Sequence, residues 1–503
     1  MTGIRRVGGR RQAAGAAAFG IALTLALAAC GSQVAPDDVA RANGTVRAGS
    51  NVDPGADSGA PGTDAGVPGD PGLGDTGDSG ADVGDSGDTG SVPGDTGNDA
   101  APGSNPGAAP VKGENASTGD GPKGSCNGFK NQTGITADKI LLANASDLSG
   151  PVPGIFESAQ MGTRAYVAYF NSQSDICGRK LDVLALDTRA DAGADQQAYL
   201  KACDQAFAAV GSMSAFDSGG AATAQSCGLP DIRSTIVNPE RQKCSTCFAT
   251  QVVDTSKIGV AYAKWLRSKY KSATDSAAVL YINAGAAPPN AKSLASAWGK
   301  IGYGVKYVQG IDVAEFNFAP YVQQMKSKGI KLVYYQGPYQ NTVKLQQAMK
   351  QQGFSPEVML ADGTVYDKRY VDQAGGVGDK TFVYLTNDMF EANNKEMQLY
   401  LSWLQQVKPG AAPNMYGLYA WSATRLFVEK ALSLGGRLDR KNMISALRGV
   451  DNWTGNGLHA KQHIGRGLGA ECSKVIQLQG SSWKQVSPGD YLCAPMVATG
   501  IGG

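Results

Sequence analysis

The stretch from Ile330 to Gly363, IKLVYYQGPYQNTVKLQQAMKQQGFSPEVMLADG, reads as strand, helix, strand, and that unit restricts the chain to a small set of folds. Leu332–Tyr335 is an apolar run of strand length, and Gln336–Gln340 reads as a turn. A helix is expected from an N-cap at Asn341, with Leu345, Ala348 and Met349 on one face and a stop at Gly353. Val358–Leu360 supplies the second strand. Two strands joined by a crossover helix should be parallel neighbours in one sheet. The unit also gathers chemistry, because Tyr339 follows the first strand and Asp362 follows the second. Ligands of open α/β sheets sit beyond the carboxyl ends of the strands. An aromatic face and a carboxylate converging there suit a ligand cation, such as the ammonium of an amino acid.

The same alternation continues through the 378 residues from Cys126 to Gly503, which exceed one ordinary core and imply two lobes. Ile140–Ala143 precedes a helix with Met161, Ala165, Ala168 and Tyr169 on one face. Leu181–Leu186 precedes a helix expected to carry Ala202, Ala206 and Val210, which leads to a strand ending near Met213. Ala277–Ile282, a helix with Leu294, Ala297, Trp298 and Ile301, and Val305–Val308 restart the pattern. Phe382–Leu385, a helix with Met397, Leu401 and Leu404, and a long apolar helix from Met415 to Leu432 complete it. The fold class is α/β with mostly parallel sheets.

Upstream the chain changes character. Arg5, Arg6, Arg10 and Arg11 precede an apolar segment, Ala13–Ala29, which has the layout of a secretion signal. Its end, Leu27-Ala28-Ala29-Cys30, resembles the bacterial lipoprotein lipobox. That resemblance implies a signal peptide over 1–29, acylation of Cys30, and a lipid anchor on the extracytoplasmic face of the cell membrane, several acyl chains holding far better than one. No other segment approaches the roughly 20 apolar residues of a membrane span. The region 30–125 is Gly/Asp/Pro/Ser-rich and has no aromatic residue; from Gly31 to Ser125 it sets 15 acidic side chains against 4 basic ones. Such a segment cannot bury enough apolar surface to order itself and is expected to be a disordered tether, about 50 to 60 Å between its ends. It lacks the nonapeptide rhythm of calcium β-rolls.

The whole chain carries a formal charge of only +2, so the acidic tether leaves the remainder basic. Those basic residues are scattered and form no nucleic-acid-binding motif, so no nucleic-acid partner is expected. The only histidines, His459 and His463, are four apart, as zinc needs on a helix, but the surrounding GNGLHAKQHIGRGLG is glycine-rich. An exposed loop without metal is expected, and no cofactor. Any Ser-His-Asp or Cys-His catalytic set would have to use these two histidines, so an enzyme is not expected, nor a nucleophile and base within hydrogen-bonding reach.

ILLANASDLSGPVP (Ile140–Pro153), GSMSAF (Gly211–Phe216), Asn238-Pro239-Glu240, LVYYQGPY (Leu332–Tyr339) and MLADG (Met359–Gly363) fall in the order and spacing of one family. Over essentially all of Ile135 to Val486 the chain resembles the branched-chain amino acid binding proteins of ABC transporters. The resemblance implies the type I periplasmic binding fold, two Rossmann-like lobes joined by three hinge crossovers that close on a ligand. Transferred here, the crossovers fall near Val253, Asn387 and Gly455. The N-terminal lobe is then 126–253 plus 388–455, and the C-terminal lobe 254–387 plus 456–495.

By the same resemblance Tyr339 aligns with an aromatic that stacks on the ligand amine, and Asp362 with an acid that pairs with it. Packing between lobes is the other role open to Tyr339, and a helix cap or turn the other role open to Asp362. Ala215 and Val237 align where the family commonly offers Ser and Thr hydroxyls to the ligand carboxylate. Ser214 and Ser218 lie near enough to substitute, and backbone N–H groups remain as anion donors. Ser149, Phe216 and Asn238 complete the candidate set. The departures leave an amine, amide or aromatic compound as open as an α-amino acid.

Nine cysteines with Cys30 acylated leave eight, an even number suited to an oxidising exterior. Cys472 and Cys493 flank an expected hairpin and should pair across it. Cys126 and Cys177 both precede early strands that should be neighbours. Related binding proteins carry a bridge at the spacing of Cys203 and Cys227. Cys244 and Cys247 remain, as a small structural loop closure rather than a redox centre. The expected protein is a monomeric, lipid-anchored receptor that captures a small polar ligand between its lobes and delivers it to an ABC permease. A cell-surface sensory or interaction protein that kept the fold without transport is the alternative.

Overall fold

The computed structural model describes residues 123–501. The signal segment, Cys30 and nearly all of the acidic tether lie outside the described residues.

Two sheets organise the chain. The first contains β1 (Lys139–Ser146), β2 (Lys180–Asp187), β3 (Ala208–Val210), β4 (Asp231–Ile236) and β5 (Cys247–Val252), in the order β2-β1-β3-β4-β5. All four pairings are parallel. A short β6 (Lys257–Ile258) leads on to the second sheet. That sheet holds β7 (Ala277–Ile282), β8 (Val305–Ile311), β9 (Leu332–Gln336), β10 (Val358–Ala361), β11 (Phe382–Leu385), β12 (Cys472–Gln479) and β13 (Ser482–Gln485), in the order β13-β12-β11-β10-β9-β7-β8. Its centre is parallel, and β12 and β13 close one edge antiparallel. The pair β9 and β10 are parallel neighbours, as the strand, helix, strand reading expects.

Alternation along each strand feeds a core on either face. In β1, Ile140 and Leu142 pack with Tyr166, Phe170 and Trp421, while Ala143 and Ala145 pack on the other side with Tyr199 and Ala202. In β9, Leu332 and Tyr334 join Leu294 and Trp298, and Val333 and Tyr335 join Leu345 and Met349. Sheets covered on both faces are what parallel strands require. The core of the first sheet also recruits distant sequence, including Met397, Leu426, Leu458 and Ile464. The helices Glu157–Gln173 and Met415–Leu434 approach so closely that a Cβ on Gly162 would stand 2.1 Å from the Gly417 carbonyl oxygen.

Two local readings are corrected. The helix expected to carry Ala206 and Val210 ends at Gln205; Ala206 is its extended cap and Val210 lies in β3. Sheet pairing overrides helix propensity there, because the N–H of Phe207 donates to the carbonyl of Leu141 at 2.9 Å. The helix after β9 begins at Tyr339, with Pro338 in the N-cap position and no side-chain capping bond, so Asn341 lies inside its first turn. Proline has its φ preset and no N–H to offer, which suits it to a helix start.

Four disulfides close the described chain: Cys126–Cys177, Cys203–Cys227, Cys244–Cys247 and Cys472–Cys493. Cys472 and Cys493 stand directly opposite each other where β12 pairs with β14 (Leu492–Cys493).

Candidate functional site

A cavity of about 310 Å³ lies beyond the carboxyl ends of strands from both sheets. The first sheet contributes Asp147 after β1, Met213, Ala215 and Phe216 after β3, and Val237 after β4. The second contributes Ala284 and Ala286 after β7, Val313 after β8, Pro338 to Gln340 after β9 and Asp362 after β10. Asn414 accepts from the N–H groups of Tyr416 and Gly417, and this cap presents Met415 and Tyr416 to the same space. Much of the wall is apolar, with Pro151, Val152, Ile155 and Phe156 facing Ile282 and Ala287.

Ala215, Phe216, Val237, Tyr339 and Asp362 are thus brought together from the sequence candidates. Ser149, Ser214 and Asn238 are directed elsewhere. The Ser149 hydroxyl donates to Asp187 at 2.5 Å. Ser214 is fully buried, and its Oγ accepts from the Phe216 N–H at 3.1 Å. Asn238 donates from Nδ2 to Asp217 at 2.7 Å and to the Ala215 carbonyl at 3.2 Å.

The backbone donors at the candidate positions of the first sheet are already engaged. The Ala215 N–H donates to Asp147 at 2.9 Å, and the N–H groups of Val237 and Asn238 donate to the two oxygens of Asp217, each at 3.1 Å. The expectation that backbone amides replace the missing hydroxyls therefore fails at these positions. Asp147 and Asp217 are internal anions, both with pKa raised by burial; Asp217 is pushed up to about 6 against the pull of Arg233 and Arg241. Asp217 belongs to a fully buried cluster in which Arg241 bonds Asp195 and Asp231, each at 2.9 Å, and Tyr199 donates to Asp231 at 3.0 Å. This cluster fixes the Ala215–Asp217 loop against Val237 and Asn238.

Acceptors, by contrast, are left open. Asp362 Oδ1 accepts from the N–H of Thr364 at 2.9 Å and from its hydroxyl at 2.5 Å, so the residue does cap a short 3-10 turn. Burial raises its pKa, opposed by Thr364 and the Tyr334 hydroxyl. Asn290 Oδ1 and Gln340 Oε1 are buried in the cavity wall without a donor. Arg369, the cation at this cavity, is held by Asp367 through Nε at 3.0 Å and Nη2 at 2.7 Å, and its guanidinium lies 5.4 Å from the centre of the Tyr339 ring. The cavity is therefore an apolar container with unmet acceptors.

Asn290, Gln340, Arg369 and Tyr416 were not among the sequence candidates. Asn290 had a signal, since it shares a helical face with Leu294, Ala297 and Trp298, and a polar residue on an apolar face marks a special environment. Tyr416 had one in Asn414, an N-cap type just before a long apolar helix.

His459 corrects two expectations. It is 2% exposed rather than on an exposed loop, and its Nε2 lies 2.8 Å from the hydroxyl oxygen of Ser422. Its Nδ1 faces the Ala460 carbonyl, which only accepts, so Nδ1 carries the proton and Nε2 accepts from Ser422. Ser422 in turn accepts from the Trp453 indole N–H at 2.9 Å. A serine and a histidine do meet, but both are buried outside the cavity and bonded within the core. Among the described residues no group of three His, Cys, Asp or Glu is placed to hold a metal, and no helix is long and apolar enough to cross a membrane.

Residues 139–481 match the family model described as periplasmic binding protein. No curated protein matches the chain. Among solved structures, a fatty acid ABC transporter substrate-binding protein from Thermomonospora curvata aligns with TM-score 0.64 at 14% identity, over 73% of this chain and 95% of that one. The leucine-binding protein of Thermotoga maritima aligns at 0.60 and 14%, over 70% and 99%. A solute-binding protein of an R. palustris ABC transporter, in complex with benzoate, aligns at 0.58 and 16%, over 72% and 98%. At these identities the likeness is one of fold. The family match over most of the chain, joined to two α/β lobes around a cleft, leads to one conclusion: the chain belongs to the periplasmic binding proteins.

Proposed function

We propose that this protein captures a small amine or amide with an apolar body in the interlobe cavity and delivers it to an ABC permease, held at the membrane by acylated Cys30. One observation carries the reading: Asp362, Asn290 and Gln340 offer acceptors to a cavity with much apolar wall, while the amides of Ala215, Val237 and Asn238 are spent on internal aspartates. A ligand that brings donors satisfies those buried acceptors, and an unmet buried acceptor costs about 1–3 kcal/mol. An ammonium also stabilises the ionised form of Asp362. A free carboxylate, as in an α-amino acid, meets no such complement on the first lobe.

Lobe closure follows from differential contact, since a ligand that touches both lobes only when they are closed shifts the population towards that state. The hinge crossings in this reading lie after β5, near the bridge between Asn387 and His459, and between Ile464 and Cys472. The third is set downstream of Gly455 because Leu458 and Ile464 pack in the first core.

The test is thermal unfolding of the full chain, first unfolded without reductant and refolded to strip carried-over ligand, against amines, amides, amino acids and aromatic acids. A ligand at a thousand times its Kd stabilises by about 4 kcal/mol. Stabilisation by apolar amines and not by the matching carboxylic acids is expected; the reverse order overturns the reading.

A further inference from the structure

The cavity does not end at Asp362. A second space of about 110 Å³ shares Val237, Asn290, Asp362 and Tyr416 with it, and a third, of about 120 Å³, shares Gln251, Asn290, Gln336 and Thr386 with the second. Asn290 and Gln336 line all three, so the spaces run on from one another between the sheets. Their chemistry changes along the way. The first is walled largely by carbon, while the third is edged by Asp254, Glu471, Gln251 and Thr386, with Lys257 as its cation. Asp254 is 5% exposed, and its Oδ1 accepts from the N–H and the hydroxyl of Ser256, each at 2.7 Å. At the joint, Asn290 is also 5% exposed, its Nδ2 donates to the Val237 carbonyl at 3.3 Å, and its Oδ1 has no donor.

We infer that the cleft contains a second, hinge-side subsite beyond Asn290, and that the preferred ligand is an elongated amine: an apolar group in the main cavity, an ammonium at Asp362, and a second cationic donor reaching Asp254. The inference rests on the amine reading above and deepens it. Two buried or half-buried carboxylates along one continuous space set a spacing, and a ligand with a single charged end leaves the far one solvated. An aliphatic linker suits the passage, because Val253, Leu385 and Met415 border the middle space. Asn290 then accepts from the nitrogen nearest the joint.

Benzylamine and N-benzyl-1,4-diaminobutane, titrated calorimetrically into the refolded full chain, test this. The diamine is expected to bind at least tenfold more tightly. Ala470→Phe, which places a ring in the hinge-side space from a surface loop, is expected to erase that advantage and leave benzylamine binding as it was. Asp254→Asn, which keeps an acceptor for Ser256 and removes the charge, is expected to reduce the advantage without lowering the thermal midpoint of the free protein. Equal affinities for the two compounds, or an advantage that survives both substitutions, overturn the hinge-side subsite while leaving the amine cavity standing. Binding of neither compound removes the amine reading, and this one with it.

Discussion

The backbone N–H of Ala286 donates to the carbonyl of Ala215 at 3.0 Å, one sheet to the other across the cleft. Beside it Gly285 has φ +53°, and a Cβ there would stand 2.7 Å from the same carbonyl oxygen. Glycine is required twice over, for its backbone angle and for the close approach. Gly285→Val is expected to prop the lobes apart while each core remains intact. Ligand affinity should fall at least tenfold, with the free protein's unfolding midpoint little changed and its radius in small-angle scattering insensitive to ligand.

Asp362 separates ligand binding from local structure. As the cap of a 3-10 turn it accepts from Thr364, a role asparagine also fills. Asp362→Asn should therefore cost little stability, yet weaken an apolar amine by roughly 10- to 100-fold, as expected for losing a charge-assisted bond of about 1.5–3 kcal/mol. Asp362→Ala should lose the same affinity and a further ~1 kcal/mol of stability from the missing cap. Calorimetric titration beside urea unfolding reads both; an Asn variant that binds amines as tightly as the parent removes Asp362 from the site.

The strands around Asp362 were legible because their apolar runs are short and bounded, and β9 and β10 needed only a crossover helix between them. Tyr339 was legible by its place just past a strand end and Ala215 only through family resemblance; both line the cavity. The Asp195, Asp217, Asp231, Arg233 and Arg241 cluster was not. Its members are spread over three elements and one loop, and an isolated Asp or Arg in sequence has the pattern of a solvated residue. His459 was misplaced for a related reason. Glycine-rich sequence was read as exposed, but Leu458 and Ile464 pull this irregular segment into the first core.

Arg241 tests the energetic weight of that cluster. Its guanidinium bonds Asp195 and Asp231, and its Nε donates to the Asp217 carbonyl at 2.7 Å. Removing one partner of a buried ion pair leaves uncompensated charge, at about 3–5 kcal/mol. Arg241→Met should lower stability by that order in urea unfolding, and Asp195→Asn in the same chain should recover part of it. If Arg241→Met costs no more than a surface substitution, water reaches this cluster in solution.

His459 makes acid stability predictable in sign. Burial lowers its pKa from 6.5 to about 4, with the Ala460 carbonyl pulling weakly the other way. Between those values the unfolded chain binds a proton that the folded protein refuses, so stability falls as pH drops from about 6.5 to about 4. At 1.36 kcal/mol per pH unit the loss from this group is about 3 kcal/mol, present in full only below the folded value. Asp217 acts in the opposite sense, because its raised pKa means the folded state holds a proton longer, and its contribution grows less favourable as pH rises towards 6. The two slopes oppose each other over the same window. His459→Gln removes one of them. Its amide has both a donor for the Ala460 carbonyl and an acceptor for the Ser422 hydroxyl, so the core bonds have replacements. Urea midpoints between pH 4 and pH 7 should then show the variant gaining on the parent as pH falls. Parallel profiles for the two proteins would mean that His459 is protonated as readily in the folded state as in the unfolded chain.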